Sequence, residues 1–180
     1  MHTKIPNVFT FISRFKKEEI LNLDKNVAII FRNYEKKYNK NEIVALKQFC
    51  RSNNRKFYLS NNIKLAINLD LDGVYIPSFN KSLGIKKYNI RKKFLILGSA
   101  HNIFEIKIKE KQKVDAIFLS PLFKTKHYKQ GLEIIKFNIL SNFCNKKIVA
   151  LGGINKKNIK KLKMTNTHGY SGISYFLNKQ

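Results

Sequence analysis

Two glycines close an apolar run in IVALGGIN, residues 148–155. A residue without Cβ lets the backbone turn sharply and lets a ligand approach its N–H groups. The basic segment NKKNIKKLKM (155–164) follows, with Ile159 and Leu162 at helical spacing and Asn155 placed as a cap. A helix N-terminus offers unsatisfied N–H donors and partial positive charge, which together suit a phosphate. The same pattern suits a tight strand-to-helix turn with no ligand, and the glycines alone leave both open. Other polar residues stand just after apolar runs: Arg32, SNN (60–62), PSFN (77–80), GSAHN (98–102), SPLFKTKHYK (120–129) and SYF (174–176). His101 reads as a capping or structural residue. His127 lies in a polar loop with Lys126 and Lys129, facing solvent or an anion. Few His, Asp or Glu residues fall at these positions, so no transition-metal site is expected. Cys50 and Cys144 match no metal or disulfide spacing.

The elements that must position these residues alternate in type. Short apolar runs occur at VFTFI (8–12), VAIIF (27–31), KFYLS (56–60), GVYI (73–76), FLIL (94–97), AIFLS (116–120), IVAL (148–151) and SGIS (171–174). Several are continuously apolar, as parallel strands buried on both faces are. Between them lie segments with helical spacing. Residues 41–53 carry Ile43, Leu46, Phe49 and Cys50 on one face; residues 131–143 carry Ile135, Ile139, Leu140 and Phe143. Residues 102–113 are less clean, because Ile106 and Ile108 also read as strand, but Asn102 is placed to cap a helix. Eight strand-like runs alternating with helical ones predict an α/β fold, a compact single-domain (β/α)8 TIM barrel over residues 1–180 with short first and last helices. An open doubly wound sheet is the competing architecture. In the barrel, the loops after the strands form the site, and the strand-7 and strand-8 exits form its usual phosphate corner. Asp70 and Asp72 precede strand 4 and belong to the opposite, stabilising face.

The chain is 43% hydrophobic and carries a formal net charge of +25. Its lysines are spread along the whole length among Asn and Ile, with no basic tail or block. The charge therefore reads as background composition whose general field favours phosphorylated small molecules; a nucleic-acid partner is not expected. No apolar run approaches the roughly 20 residues of a membrane span, and the N-terminus lacks a signal-peptide pattern. A cytoplasmic protein with no membrane partner is expected; monomer and small homo-oligomer both stay open.

Five stretches in order resemble the thiamine phosphate synthase family, which also includes a thiazole tautomerase. They are NNIKLAINLDLDGVYI, LGSAHN, DAIFLSPLFKTK, VALGGIN and GYSGISYF. The resemblance implies a transferase of thiamine biosynthesis. Such an enzyme couples hydroxymethylpyrimidine diphosphate to thiazole phosphate, with Mg2+ and release of pyrophosphate. It implies that Arg32 and Ser99 hold the diphosphate in catalytic roles, with Asn61 matched beside them. Thr125 and the backbone of Gly152, Gly153, Ile173 and Ser174 would hold the thiazole phosphate, with Lys126 and Lys129 close by. The family's two Mg2+ aspartates fall on Asn62 and Asn80. Its pyrimidine-reading Gln falls on Ile30, and two of its lysines fall on Tyr34 and Tyr128. The tautomerase's catalytic His has no match; Pro121 lies near its position. The alternative reading is thus a divergent member, tautomerase-like or a phosphate-ligand binder, that keeps only the phosphate half of the site. A basic nucleic-acid-binding protein is a minor third.

Overall fold

Eight parallel strands close on themselves in the order β1 to β8. The structure is a computed structural model, and it describes residues 4–34 and 39–172. The elements in chain order are β1 (Val8–Ile12), α1 (Lys17–Leu21), β2 (Val27–Phe31), α2 (Lys40–Ser52), β3 (Phe57–Ser60), α3 (Ile63–Asn68) and β4 (Gly73–Ile76). Then come β5 (Leu95–Ala100), α4 (Ile103–Lys111), β6 (Ala116–Leu119), α5 (Glu133–Asn142), β7 (Lys147–Leu151) and β8 (Gly169–Ser171). Short 3-10 turns at Gly84–Lys87 and Ile159–Met164 stand where longer barrels place helices. Closure is direct, with Val8 paired to Tyr170 and Phe9 to Ser171. The expected TIM barrel is therefore observed, and its first helix is as short as expected.

The continuous apolar runs are explained by two shells. In β2, Ala28 and Ile30 point into the barrel while Val27, Ile29 and Phe31 point outward to the helices, and all five are buried. The interior is filled mainly by aromatics. Phe9 and Phe118 meet edge-on at 4.9 Å, Phe11 and Tyr75 at 5.1 Å, and Tyr75 and Phe118 at 5.4 Å. Such pairs add about 0.5–1.5 kcal/mol each beyond their area burial. The filled interior gives the loops at the strand ends a rigid floor.

Caps fix several helix starts. Asn102 Oδ1 accepts from Glu105 N at 3.0 Å, so residues 103–111 are helix and the strand reading of Ile106 and Ile108 falls. Asp72 lies below the sheet as expected, accepting from Phe57 N and pairing with Lys56.

Four local readings are corrected. Residues 155–164 form turns and a 3-10 segment rather than an α-helix, although Asn155 Oδ1 accepts from Lys157 N and Asn158 N as a cap does. β5 runs on through Ala100, so Ser99 lies inside the strand rather than in its exit. β8 starts at Gly169, two residues before SGIS. On α5 the buried residues are Phe137 and Ser141, whereas Ile135 is 77% exposed and Ile139 and Phe143 are exposed too. Ile173, Ser174 and the last-helix segment lie outside the described residues.

Candidate functional site

At the β7 exit the backbone turns through two consecutive glycines. Gly152 and Gly153 have φ of +97° and +71°, values that β-carbon residues rarely adopt. There is also no room for a side chain. A Cβ on Gly153 would lie 2.5 Å from Lys124 O, and one on Gly152 2.8 Å from Pro121 Cα. The β6 exit loop is pressed onto the glycines and tied there by Leu122 N donating to Leu151 O and Phe123 N to Gly152 O. Asn158 Nδ2 holds Gly153 O from the other side at 2.8 Å. The N–H groups of Gly153 and Ile154 donate to no acceptor among the described residues. Both residues line a cavity, and backbone donors without a protein acceptor there suit an anion.

That cavity has a volume of about 640 Å³ and opens at the mouth. Arg32, Thr125, Lys126, Gly152 and Gly153 all line it, together with Lys124, Tyr128 and Ser171. Among the described residues, no carboxylate lines it. Thr125 is set by a small turn: its N–H donates to Tyr128 O, and its Oγ1 accepts from Tyr128 N, each at 3.0 Å. The hydroxyl proton of Thr125 is left to donate outward. The Arg32 guanidinium stacks on the Phe11 ring at 4.5 Å, so the aromatic floor orients the cation. Tyr128 stacks on His101 at 5.8 Å, and His101 Nδ1 lies 2.8 Å from Ser120 O. A carbonyl only accepts, so this His donates to backbone and acts structurally, as expected. Lys124 was not anticipated; its only sequence signal is its place beside Thr125.

The remaining anticipated residues lie elsewhere. Lys129 lines a neighbouring surface cavity on the α5 side. Ser99 is only 5% exposed and its hydroxyl pairs with that of Tyr75. Asn61, Asn62 and Asn80 line a separate cavity of about 490 Å³. Asn80 Nδ2 donates to Asn61 Oδ1 at 2.7 Å, Asn62 Oδ1 accepts from Leu65 N as the cap of α3, and Asn80 Oδ1 accepts from Ser82 N. Ile30 is buried inside the barrel.

The loop carrying Asn80 is pinned by a lysine that sequence reasoning missed. Lys109 of α4 is fully buried, and its Nζ donates to Pro77 O, Asn80 O and Gln112 Oε1 at 2.8–2.9 Å. Burial lowers its pKa to about 8. The missing Cβ of Gly98 makes way for the stem, since a side chain there would meet Lys109 Cδ at 2.9 Å.

The model of the family described as thiamine monophosphate synthase matches residues 18–176, nearly the whole chain. The chain belongs to the thiamine monophosphate synthase family. A candidate second thiamine-phosphate synthase of Aquifex aeolicus is 32% identical over 153 residues, which cover 79% of this chain and 80% of that protein. A thiamine-phosphate synthase of Prochlorococcus marinus is 30% identical over 68% of this chain, a match that spans only 36% of its own length. Among solved structures, a thiamine phosphate pyrophosphorylase from Pyrococcus furiosus superposes with TM-score 0.74 at 18% identity, covering 94% of this chain and 86% of its own. Likeness at that identity shows the fold. Among the described residues, no helix is long and apolar enough to cross a membrane.

The synthase family implies Mg2+, and the donors expected for it among the described residues do not fit it. Mg2+ prefers carboxylates and near-octahedral oxygen geometry. Asn62 and Asn80, expected by resemblance at its ligand positions, are neutral amides, and each amide oxygen already accepts a backbone N–H group. No cluster of three metal-ligating His, Cys, Asp or Glu side chains occurs among the described residues.

Proposed function

We propose that this member of the synthase family binds a phosphorylated small molecule of the thiazole phosphate class at the β6–β8 corner of the mouth. The N–H groups of Gly153 and Ile154, which find no acceptor among the described residues and sit at closely packed positive-φ glycines, carry this reading. Thr125, Lys124 and Lys126 supply the hydroxyl and the charge around a phosphate dianion. Each charge-assisted bond of this kind contributes roughly twice a neutral one. Ile173 and Ser174 would extend the backbone cradle by resemblance. The apolar lining from Pro121, Leu151 and Ile154 suits the organic part of such an ester.

A second reading is the family's coupling reaction, in which hydroxymethylpyrimidine diphosphate and thiazole phosphate give thiamine phosphate and pyrophosphate. The position of Arg32 favours it: the guanidinium lines the same cavity from the β2 side, where a leaving diphosphate would need positive charge. The chain would then be a transferase of thiamine biosynthesis acting in the cytoplasm. Mixing the purified protein with both substrates, and separately titrating thiazole phosphate by calorimetry, tests both readings. Thiazole phosphate binding without product supports the first alone. Product formation proportional to protein supports the second. Absence of binding eliminates both.

A further inference from the structure

Helix α5 carries apolar side chains on its outer face as well as its inner one. Phe137 and Ser141 are buried against the barrel wall. Ile135, Ile139 and Phe143, each four residues from the next, form a ridge on the opposite face, and they are 77%, 53% and 57% exposed. Met164 of the 3-10 segment before β8 is 64% exposed and stands beside this helix, with its carbonyl oxygen accepting from Asn138 Nδ2. Ile135 and Met164 line one cavity of about 810 Å³, together with Leu132 and Lys136. Exposed apolar residues scattered singly are ordinary, but several side by side mark an interaction surface.

We propose that this ridge is the interface of a two-fold homodimer, in which α5 packs antiparallel on α5 of a second copy. The spacing is self-complementary. A two-fold axis at Ile139 sets Ile139 against the partner's Ile139 and Ile135 against the partner's Phe143, since Ile135 and Phe143 each lie four residues from the axis. Each Phe143 ring then reaches the other copy's cavity beside Ile135 and Met164, an aromatic anchor in an apolar pocket. Charges agree with the same register. Glu133, exposed at the start of α5, comes to the end of the partner helix. At that end Lys107 Nζ donates to Phe143 O at 2.8 Å and Lys146 lies near Glu110, so two cations outnumber one carboxylate. A parallel pair would set Glu133 on Glu133 and Lys136 on Lys136, which is unfavourable. The four exposed residues offer on the order of 500 Å² in each copy, so a pair removes about 1,000 Å² from water, the lower bound for a specific interface. The +25 charge of each chain opposes association through its general field, and salt screens that repulsion.

Sedimentation equilibrium of the full chain tests this. The wild type should form a dimer with a Kd on the order of 10 µM, and raising NaCl from about 0.1 M to about 0.5 M should tighten it. Ile139→Lys places two lysines at the axis and should weaken the dimer about tenfold or more, with a wild-type circular dichroism spectrum showing that it folds. Leu21→Lys on α1, as exposed as Phe143 but elsewhere on the barrel wall, should leave Kd unchanged. Ile135→Lys and Phe143→Glu should each weaken the dimer. The double variant should bind itself about threefold tighter than either single, because the two positions face each other across the axis. A chain that stays monomeric to about 200 µM at the higher salt overturns the inference and leaves the ridge to a different protein. A dimer untouched by Ile139→Lys, or a double variant no tighter than its singles, overturns it as well.

Discussion

Replacing Gly153 by alanine perturbs the proposed anion seat with a single methyl group. At φ +71° a residue with Cβ is disfavoured by about 1–2 kcal/mol. The added Cβ would also lie 2.5 Å from Lys124 O and 2.7 Å from Phe123 O, backbone atoms with no rotamer to retreat into. Relieving such overpacking costs about 1–3 kcal/mol more. With both effects, Gly153→Ala should lose about 3 kcal/mol, which for a chain of this size lowers Tm by about 10 °C. The relief must come from parting the β6 and β7 exit loops, the two walls of the cavity. Phosphate affinity, measured by calorimetry well below the new Tm, should therefore fall as well. Thermal unfolding followed by circular dichroism gives the first number. An alanine variant with unchanged Tm and unchanged phosphate affinity would refute the claim that glycine is required here by geometry and ligand together.

Other outcomes follow from the same geometry. Asn62→Ala should cost about 1 kcal/mol through loss of the α3 cap, measurable by chemical denaturation, with no change in phosphate affinity. Joint Asn62→Asp and Asn80→Asp substitution should give binding of pyrophosphate a Mg2+ dependence that the wild type lacks; an EDTA-insensitive double variant contradicts the fit argument. Lys109 has a folded pKa of about 8 against an ordinary 10.5, so the folded state binds fewer protons between those values and stability should rise with pH across that window. The full effect, about 3 kcal/mol, is present above the unfolded pKa and lost as pH falls through 8. Lys109→Met should lack this contribution, so the wild-type-minus-variant difference in unfolding free energy should rise from pH 7 to about 10.5; a flat difference contradicts it.

Much of the barrel was legible in the sequence for one reason: parallel strands covered on both faces write themselves as unbroken apolar runs. VAIIF is buried at all five positions and reads so. Where the fold depends on side chains far apart in sequence, the signal fades. Segment 131–143 is apolar on most sides, so periodicity chose Ile135, Ile139 and Phe143, while packing chose Phe137 and Ser141. Lys109 looked like one of many solvated lysines, because its acceptors lie 29 and 32 residues away. The bond between the Tyr34 and Ser60 hydroxyls gave no sign either, since the two residues lie 26 apart. Residues 155–164 have helical spacing and a cap-like Asn155, yet they settle as turns and a 3-10 segment. The glycines at 152 and 153 were readable because conformation and close approach both demand the same residue type. The asparagines at 62 and 80 were readable as departures, but only the structure shows that their oxygens serve as caps and turns.

The most direct test of the phosphate corner is a nitrogen-15 NMR titration with thiazole phosphate. The account predicts that the Gly153 and Ile154 amide protons move downfield and saturate together, with the amides of Asn62 and Asn80 left in place. Saturating ligand that leaves Gly153 and Ile154 unmoved, or shifts concentrated at Asn62 and Asn80, would contradict it.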